Sequence, residues 1–304
     1  LSRVAAIDCG TNSIRLLIAD ITDGKFKEVL RTMEIVRLGQ GVDQNKSFHP
    51  DAINRTLLAV EKFAQLIASK GVEKIRFCAT SATRDAGNRE LFTDGVERIL
   101  GVKVEVIPGE QEAALSFIGA TKELSQSDGP FLVVDIGGGS TEFVFGSKTV
   151  ESAKSVNIGC VRMSERHLNL QPPTMASIAE AIIDIDIAIT QAAKEVPITE
   201  AKSLVAVAGT ATTVAAAALK LENYDRHLIH LSRISATSVY QVAASFQSMN
   251  KDQLANLGYM HPGRVDVITA GALVLSRIMA ATGASEFIAS ESDILDGIAW
   301  SLSK

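Results

Sequence analysis

Val133-Val134-Asp135-Ile136-Gly137-Gly138-Gly139-Ser140-Thr141-Glu142-Phe143 is the stretch whose reading decides the fold. The apolar run from Phe131 to Val134 reads as a buried strand that ends on a carboxylate. Three glycines, two hydroxyls and a second carboxylate follow, and then another apolar run from Phe143 to Phe145. Glycines let a chain turn tightly and aim several backbone N–H groups into one concavity, which suits anionic oxygens. Asp135 at the strand end offers an oxygen ligand to a hard cation such as Mg²⁺, which commonly bridges protein carboxylates and phosphate. The plain alternative is a glycine-rich hairpin turn with a solvated aspartate.

Further towards the N-terminus, Val4-Ala5-Ala6-Ile7-Asp8-Cys9-Gly10-Thr11-Asn12-Ser13-Ile14-Arg15-Leu16-Leu17-Ile18 repeats that design. Each stretch is an apolar strand, an Asp, a glycine turn with hydroxyls, and a second strand. The repetition predicts two related halves with an anion held between them. Between the two hairpins, strands alternate with amphipathic helices, which indicates an α/β architecture. Strands are predicted over 26–36, 75–79 and 104–107. A helix starts at Pro50, with Ile53, Leu57, Val60, Ala64 and Ile67 on one face. A loop carries Thr80 to Asp85, and Pro108-Gly109 opens a helix bearing Glu110 and Glu112. The polar stretch Ser125 to Gly129 is a candidate linker. After the second hairpin the pattern continues with a strand over 150–156, a helix from Thr174 to Lys194, and a strand over 204–208. That last strand runs into Gly209-Thr210-Ala211-Thr212-Thr213, and the remainder reads as mostly helical.

The totals narrow the function classes. The 304 residues suffice for two domains, and 46% hydrophobic with 21% charged residues is ordinary for a globular protein. A net charge of −5 argues against a general binder of nucleic-acid polymers or membrane surfaces. Three scattered cysteines, Cys9, Cys78 and Cys160, indicate neither a disulfide framework nor a zinc site. No run approaches the length of a membrane span or a signal peptide, so a reducing cytoplasm is the expected location.

Taken together, Ile7 to Arg15, Ala79 to Ala86, Gly109-Glu110-Gln111-Glu112-Ala113, Asp135 to Phe143, Gly209 to Thr212 and Arg264-Val265-Asp266 closely resemble the exopolyphosphatase/guanosine pentaphosphate phosphohydrolase (Ppx/GppA) family. The resemblance implies two ribonuclease-H-like domains of the actin-like/sugar-kinase superfold, with the active site in the cleft between them. The domains are placed at 1–124 and 125–292, the final helix at about 293–304 packing back onto the first. Two departures stand out. Gln111-Glu112 replaces the family's common pair of glutamates, and Leu295-Asp296-Gly297 replaces its Arg-Glu-Gly.

The implied activity is metal-dependent release of orthophosphate from the end of inorganic polyphosphate. Guanosine pentaphosphate hydrolysis is the alternative, and an actin-like ATPase or phosphotransferase is a more distant one. In this reading Gly10, Thr11, Asn12 and Ser13 grip phosphoryl oxygens together with Gly137, Gly138, Gly139, Ser140 and Thr141. Asp8 and Asp135 hold Mg²⁺, with Mn²⁺ as a substitute. Glu112 matches the family's catalytic position and serves as general base, while Glu142 orients water or metal. Arg84 reaches a phosphate, the competing reading being a salt bridge to Asp85 or another surface acid. Arg264 guards the cleft, and Gly209-Thr210 adds an anion site at a helix start. A homodimer is compatible with the resemblance.

Overall fold

The computed structural model describes residues 2–22 and 25–303. The chain forms two compact units, Leu1–Gly119 with Ile294–Lys304, and Ala120–Asp293. In chain order the first contains β1 (Ser2–Cys9), β2 (Ser13–Thr22), β3 (Lys25–Ile35), α1 (Val42–Asn45), α2 (Pro50–Ser69), β4 (Lys74–Ala79), α3 (Ser81–Asp85), α4 (Glu90–Leu100), β5 (Val104–Val106) and most of α5 (Gly109–Thr121). Its sheet runs β3-β2-β1-β4-β5. The three strands β3, β2 and β1 pair antiparallel, and β1, β4 and β5 pair parallel.

The sequence explains this order. Val4, Ala5, Ala6 and Ile7 of β1 are wholly buried, as a central strand covered on both faces requires. The edge strand β3 instead carries Lys25, Lys27, Glu28 and Arg31, charges that discourage pairing with another chain. On one face, α2 lays down Ile53, Val60, Phe63 and Ile67, and α4 adds Phe92 and Val96. Pro50 occupies the first turn of α2, where its missing N–H costs nothing, and the His49 side chain accepts from the Asp51 N–H.

The second unit contains β6 (Phe131–Ile136), β7 (Thr141–Gly146), β8 (Val150–Val156), α6 (Cys160–Arg166), α7 (Met175–Ala193), β9 (Ser203–Val207), α8 (Ala208–Ala218), α9 (Arg226–Ile229), β10 (Arg233–Ser235), α10 (Ala236–Ser248), α11 (Lys251–Ala255), α12 (Ile268–Thr282) and β11 (Glu286–Ala289). Its sheet order is β10-β11-β9-β6-β7-β8. Strands β6, β9 and β11 are parallel neighbours, and β6-β7-β8 is an antiparallel meander. Apart from the added edge strand β10, this repeats the first sheet strand for strand. The α/β expectation therefore holds in both halves. The polar stretch Ser125–Gly129 forms a short 3₁₀ turn, Gln126–Asp128. No helix among the described residues is long and apolar enough to cross a membrane.

The last helix, α13 (Ile294–Ser301), packs on β1 and β2 of the first unit, burying Ile294, Leu295, Ile298 and Ala299 with Leu115 of α5. Asp296, part of the departure from the family pattern, receives Arg31 Nη2 at 2.5 Å. It thus ties α13 to the edge strand β3. Gly297 lies so close to α5 that a Cβ would run into the Leu115 carbonyl oxygen. Gly297→Ala should force the two backbones apart and lower stability by about 1–3 kcal/mol, the usual cost of overpacking. Equilibrium denaturation in urea measures it, and an unchanged midpoint would contradict this packing.

Candidate active site

In both sheets the loops that carry the predicted residues leave the C-terminal ends of parallel strands, where ligands collect in α/β folds. Within the first unit, β1 delivers Asp8, β4 delivers Thr80 to Asp85, and β5 leads to Glu112. Asp8 is only 5% exposed. Arg15, its direct partner across the β1–β2 hairpin, donates Nε at 3.0 Å and Nη2 at 2.6 Å to Asp8 Oδ2. Cys78 sits beside Asp8 in the β1–β4 register. Burial pushes its thiol up to about 12, Glu105, Asp8 and Glu112 add to the shift, and Arg76 opposes them.

Glu112 lies in the first turn of α5, its N–H bonded to the Pro108 carbonyl at 3.0 Å. It is buried, whereas Glu110 two positions earlier is exposed. Arg84 on α3 donates Nη1 to Glu112 Oε2 at 2.7 Å and to the Ile107 carbonyl at 2.8 Å. The salt bridge weighed for Arg84 thus exists, but its acid is the proposed general base rather than Asp85. Asp85 ends α3 and takes no part in that pair.

The two glycine turns share one design. Gly10 N–H bonds the Ser13 carbonyl at 2.9 Å, and Gly137 N–H bonds the Ser140 carbonyl at 3.0 Å. In the second turn the carbonyls are engaged by the start of α6. Gly137 accepts from Cys160 N–H, Gly138 from Val161 N–H and Arg162 N–H, and Gly139 from Arg162 Nε at 2.6 Å. Gly159 is pressed so closely on Gly138 and Gly139 that any Cβ there would collide with them. With its carbonyls held on that side, the loop is fixed in shape. In the first turn, Thr11 and Asn12 carbonyls likewise accept from Gly39, Val36 and Arg37 N–H groups.

Two of the expected side chains, a hydroxyl and a carboxylate, are engaged by the scaffold. Thr141 was expected to grip phosphate, but its hydroxyl donates to the Ile158 carbonyl at 2.9 Å and is wholly buried. Strand alternation turns this side chain toward the scaffold. Glu142 was expected to orient water or metal. It is 0% exposed, and its Oε1 accepts from both Ser140 Oγ and Ser155 Oγ at 2.7 Å. It braces the hairpin and the Ser140 hydroxyl.

The equivalence of the hairpins bears on the metal. Asp8 faces Arg15 across its hairpin, and Asp135 faces Glu142 across the other. Like charges directly opposite on one face repel. The first hairpin carries its own cation, and the second has two carboxylates in the same place. The two carboxylates at Asp135 and Glu142 are a donor set of the kind a hard divalent cation takes, whereas at Asp8 the Arg15 guanidinium occupies Oδ2. Among the described residues no group of three or more His, Cys, Asp or Glu side chains is gathered as a metal cage. A Mg²⁺ ion bound mainly through substrate phosphates needs only one or two carboxylates.

Beyond β9, Ala208 adopts φ 67°, a left-handed conformation unusual for a residue with a Cβ, and such strain concentrates at functional loops. Arg264 lies over Gly209, donating Nη1 to the Gly209 carbonyl at 2.8 Å and to Thr213 Oγ1 at 3.0 Å. Thr210 and Cys160 both crowd Gly271, where an added Cβ would meet Thr210 Oγ1 at 2.5 Å and Cys160 Cβ at 3.2 Å. Burial pushes the Cys160 thiol up, with Thr210 and the Arg264 charge offsetting part of the effect. Cys160, whose N–H bonds the Gly137 carbonyl at 2.9 Å, thus lies where the glycine turn and the Gly209-Thr210 loop come together within the second unit. Sequence reasoning gave no role to Arg15, Gly159 or Arg162. Arg15 lay inside a quoted motif, and only the hairpin register assigns it to Asp8.

Comparison with known proteins gives a consistent picture. A relative from Mycobacterium tuberculosis named Exopolyphosphatase 2 is 44% identical, with 99% of each chain covered. A Vibrio atlanticus protein named guanosine-5'-triphosphate,3'-diphosphate pyrophosphatase is 35% identical over 59% of this chain and 36% of its own length. Among solved structures, an exopolyphosphatase-like protein superposes with a TM-score of 0.96 at 44% identity, covering 99% of this chain and 98% of that one. The Aquifex aeolicus PPX-GPPA enzyme gives 0.82 at 29% identity, with 99% of both chains covered. The sequence model of the Ppx/GppA phosphatase family matches residues 17–304, and the chain belongs to that family.

Proposed function

We propose that this protein is an exopolyphosphatase, hydrolysing the terminal phosphoanhydride of inorganic polyphosphate to release orthophosphate. The observation that carries the reading is the ion pair of the half-buried Arg84 with the buried Glu112, at the strand ends that also present Asp8 and the Gly10–Ser13 turn. Such a group suits phosphoryl transfer, which needs positioning and charge neutralisation more than covalent chemistry. Polyphosphate is favoured over guanosine pentaphosphate because the similarity to a named exopolyphosphatase runs end to end, whereas that to the V. atlanticus protein covers 59% of the chain.

In this reading, backbone N–H groups of the Gly10–Ser13 turn and of the Gly137–Ser140 turn, with the Ser13 hydroxyl, hold phosphoryl oxygens of the substrate. Glu112, fixed by Arg84, accepts a proton from water as the water oxygen attacks phosphorus. The P–O–P bond to the next phosphoryl breaks, leaving orthophosphate and a chain one unit shorter. Asp135 would contact Mg²⁺, or Mn²⁺ in its place, whose contribution when bound is to neutralise charge on the phosphoryl oxygens. Arg84 and Arg264 steady phosphates. A cytoplasmic location accords with the buried, unpaired thiols Cys9, Cys78 and Cys160.

Two measurements test this. Glu112→Gln should lower kcat on polyphosphate by about 10²–10⁴-fold, the usual contribution of a positioned base, with KM unchanged or smaller. The exposed Glu110→Gln serves as control and should behave as wild type. Loss of turnover in the Glu110 variant with normal turnover in the Glu112 variant would displace the base from this position. Excess chelator should abolish phosphate release, and Mg²⁺ should restore it. Asp135→Asn should raise the Mg²⁺ concentration needed for half-maximal rate, and full activity in chelator would remove the cation from the reaction.

A further inference from the structure

The third parallel strand of the second sheet, β11, ends in Ser290 to Asp293, a segment the reading above leaves unused. Ser290 N–H bonds the Ala206 carbonyl at 3.0 Å, which holds this loop beside the end of β9. Glu291 follows, with its side chain 14% exposed. The Tyr224 hydroxyl donates to Glu291 Oε1 at 2.5 Å, and Arg226 Nε stands 3.7 Å from Oε2. Glu291 N–H donates to His230 Nδ1 at 3.1 Å. Burial pushes the Tyr224 phenol up and Glu291 adds to the shift, while Thr212 in the first turns of α8 and the Arg264 charge oppose it. Burial raises the Glu291 carboxyl above its ordinary value, against the pull of Tyr224, Arg226 and Arg264 and with a push from Asp293.

The arrangement has a direction. The carboxylates nearest Arg226 are covered, Asp293 at 3% exposure and Glu291 with a partner on each oxygen, while the exposed Glu123 is held on the far side by the Ser292 hydroxyl and His230. The cationic and phenolic groups reach solvent, with the Arg226 side chain 35% exposed and Tyr224 39%. Neighbouring strands lie about 4.8 Å apart, so this loop stands roughly 10 Å along the sheet edge from the Gly137–Ser140 turn, with Gly209 and Arg264 between. A chain of phosphoryl groups leaving the glycine turn along that edge meets Arg264 first and Arg226 next.

We propose that Arg226, with Arg264, forms a second anion subsite in this unit, taking phosphoryl groups of the substrate distal to the one hydrolysed. Glu291 is its positioning residue, anchoring the guanidinium of Arg226 and the phenol at once. The inference rests on the polyphosphatase reading and adds to it a determinant of chain length. An ion pair serving only to fasten α9 to the β11 loop would affect stability and leave substrate discrimination alone.

The test compares orthophosphate release from long-chain polyphosphate and from tripolyphosphate, which is too short to reach from the glycine turn to this edge. Arg226→Ala should raise KM for the long chain about tenfold, the equivalent of one charge-assisted hydrogen bond. Its kcat and its KM for tripolyphosphate should stay near wild type. Arg226→Lys should recover part of the loss, because it keeps the charge but not the planar fork. Glu291→Gln should shift KM in the same direction by a smaller factor. Equal KM changes for both substrates, or a lowered kcat with KM unchanged, would overturn the subsite. Should the wild type release no phosphate from polyphosphate, the functional reading itself fails. Affinity for fluorescently labelled long-chain polyphosphate then decides: weaker binding by Arg226→Ala supports the subsite, and equal binding refutes it.

Discussion

Four carboxylates, Asp8, Glu112, Asp135 and Glu142, are each under 10% exposed at the ends or starts of core elements. Burying an ionised carboxylate costs several kcal/mol after relaxation, and that cost is met only by well-placed partners. The rest of the architecture is arranged around that constraint. Arg15 answers Asp8 from the next strand, Arg84 answers Glu112 from the helix after β4, and two serine hydroxyls answer Glu142. Removing one partner would leave a buried charge, so these pairs fix the strand-end loops as firmly as the apolar core fixes the strands. An acid held in this manner is pre-positioned, which is what proton transfer to a fixed group requires.

Duplication supplies the frame and asymmetry supplies the chemistry. The two hairpins close with the same Gly-to-Ser hydrogen bond and sit at the same place in matching sheets. At the position across from the strand-end aspartate, however, one half has Arg15 and the other Glu142. The first unit thereby carries internal positive charge near its proposed base. The second has the oxygen-rich end suited to a cation, together with the strained Ala208 and the arginines that follow the later strands. A duplicated fold can divide two jobs, activating water and neutralising phosphate, between copies of one motif.

Much of this was legible in the sequence, for physical reasons. Glycine turns between apolar runs betray their hairpins, and Pro50 and Pro108-Gly109 mark helix starts. Contacts made by non-local pairing were not legible. Arg84 and Glu112 are 28 positions apart and meet only because β4 and β5 are neighbours. Thr141 and Glu142 looked accessible because they follow the glycines, yet the strand begins at Thr141 and takes both side chains inside. Strands β10 and β11 escaped notice because three or four residues among serines carry too little periodicity to separate from helix. Tyr224 and Glu291 lie outside every motif, and only the end of β11 brings them together.

The central claim is that these held carboxylates direct water, rather than an acceptor molecule, to the terminal phosphoryl. Its most direct measurement is the fate of solvent oxygen when the protein is incubated with polyphosphate in water enriched in a heavy oxygen isotope. The account predicts that each orthophosphate released carries one solvent-derived oxygen, seen by mass spectrometry, with no acceptor required. Release that depends on an added nucleotide or sugar acceptor, with phosphate transferred to it and no solvent oxygen incorporated, would contradict it.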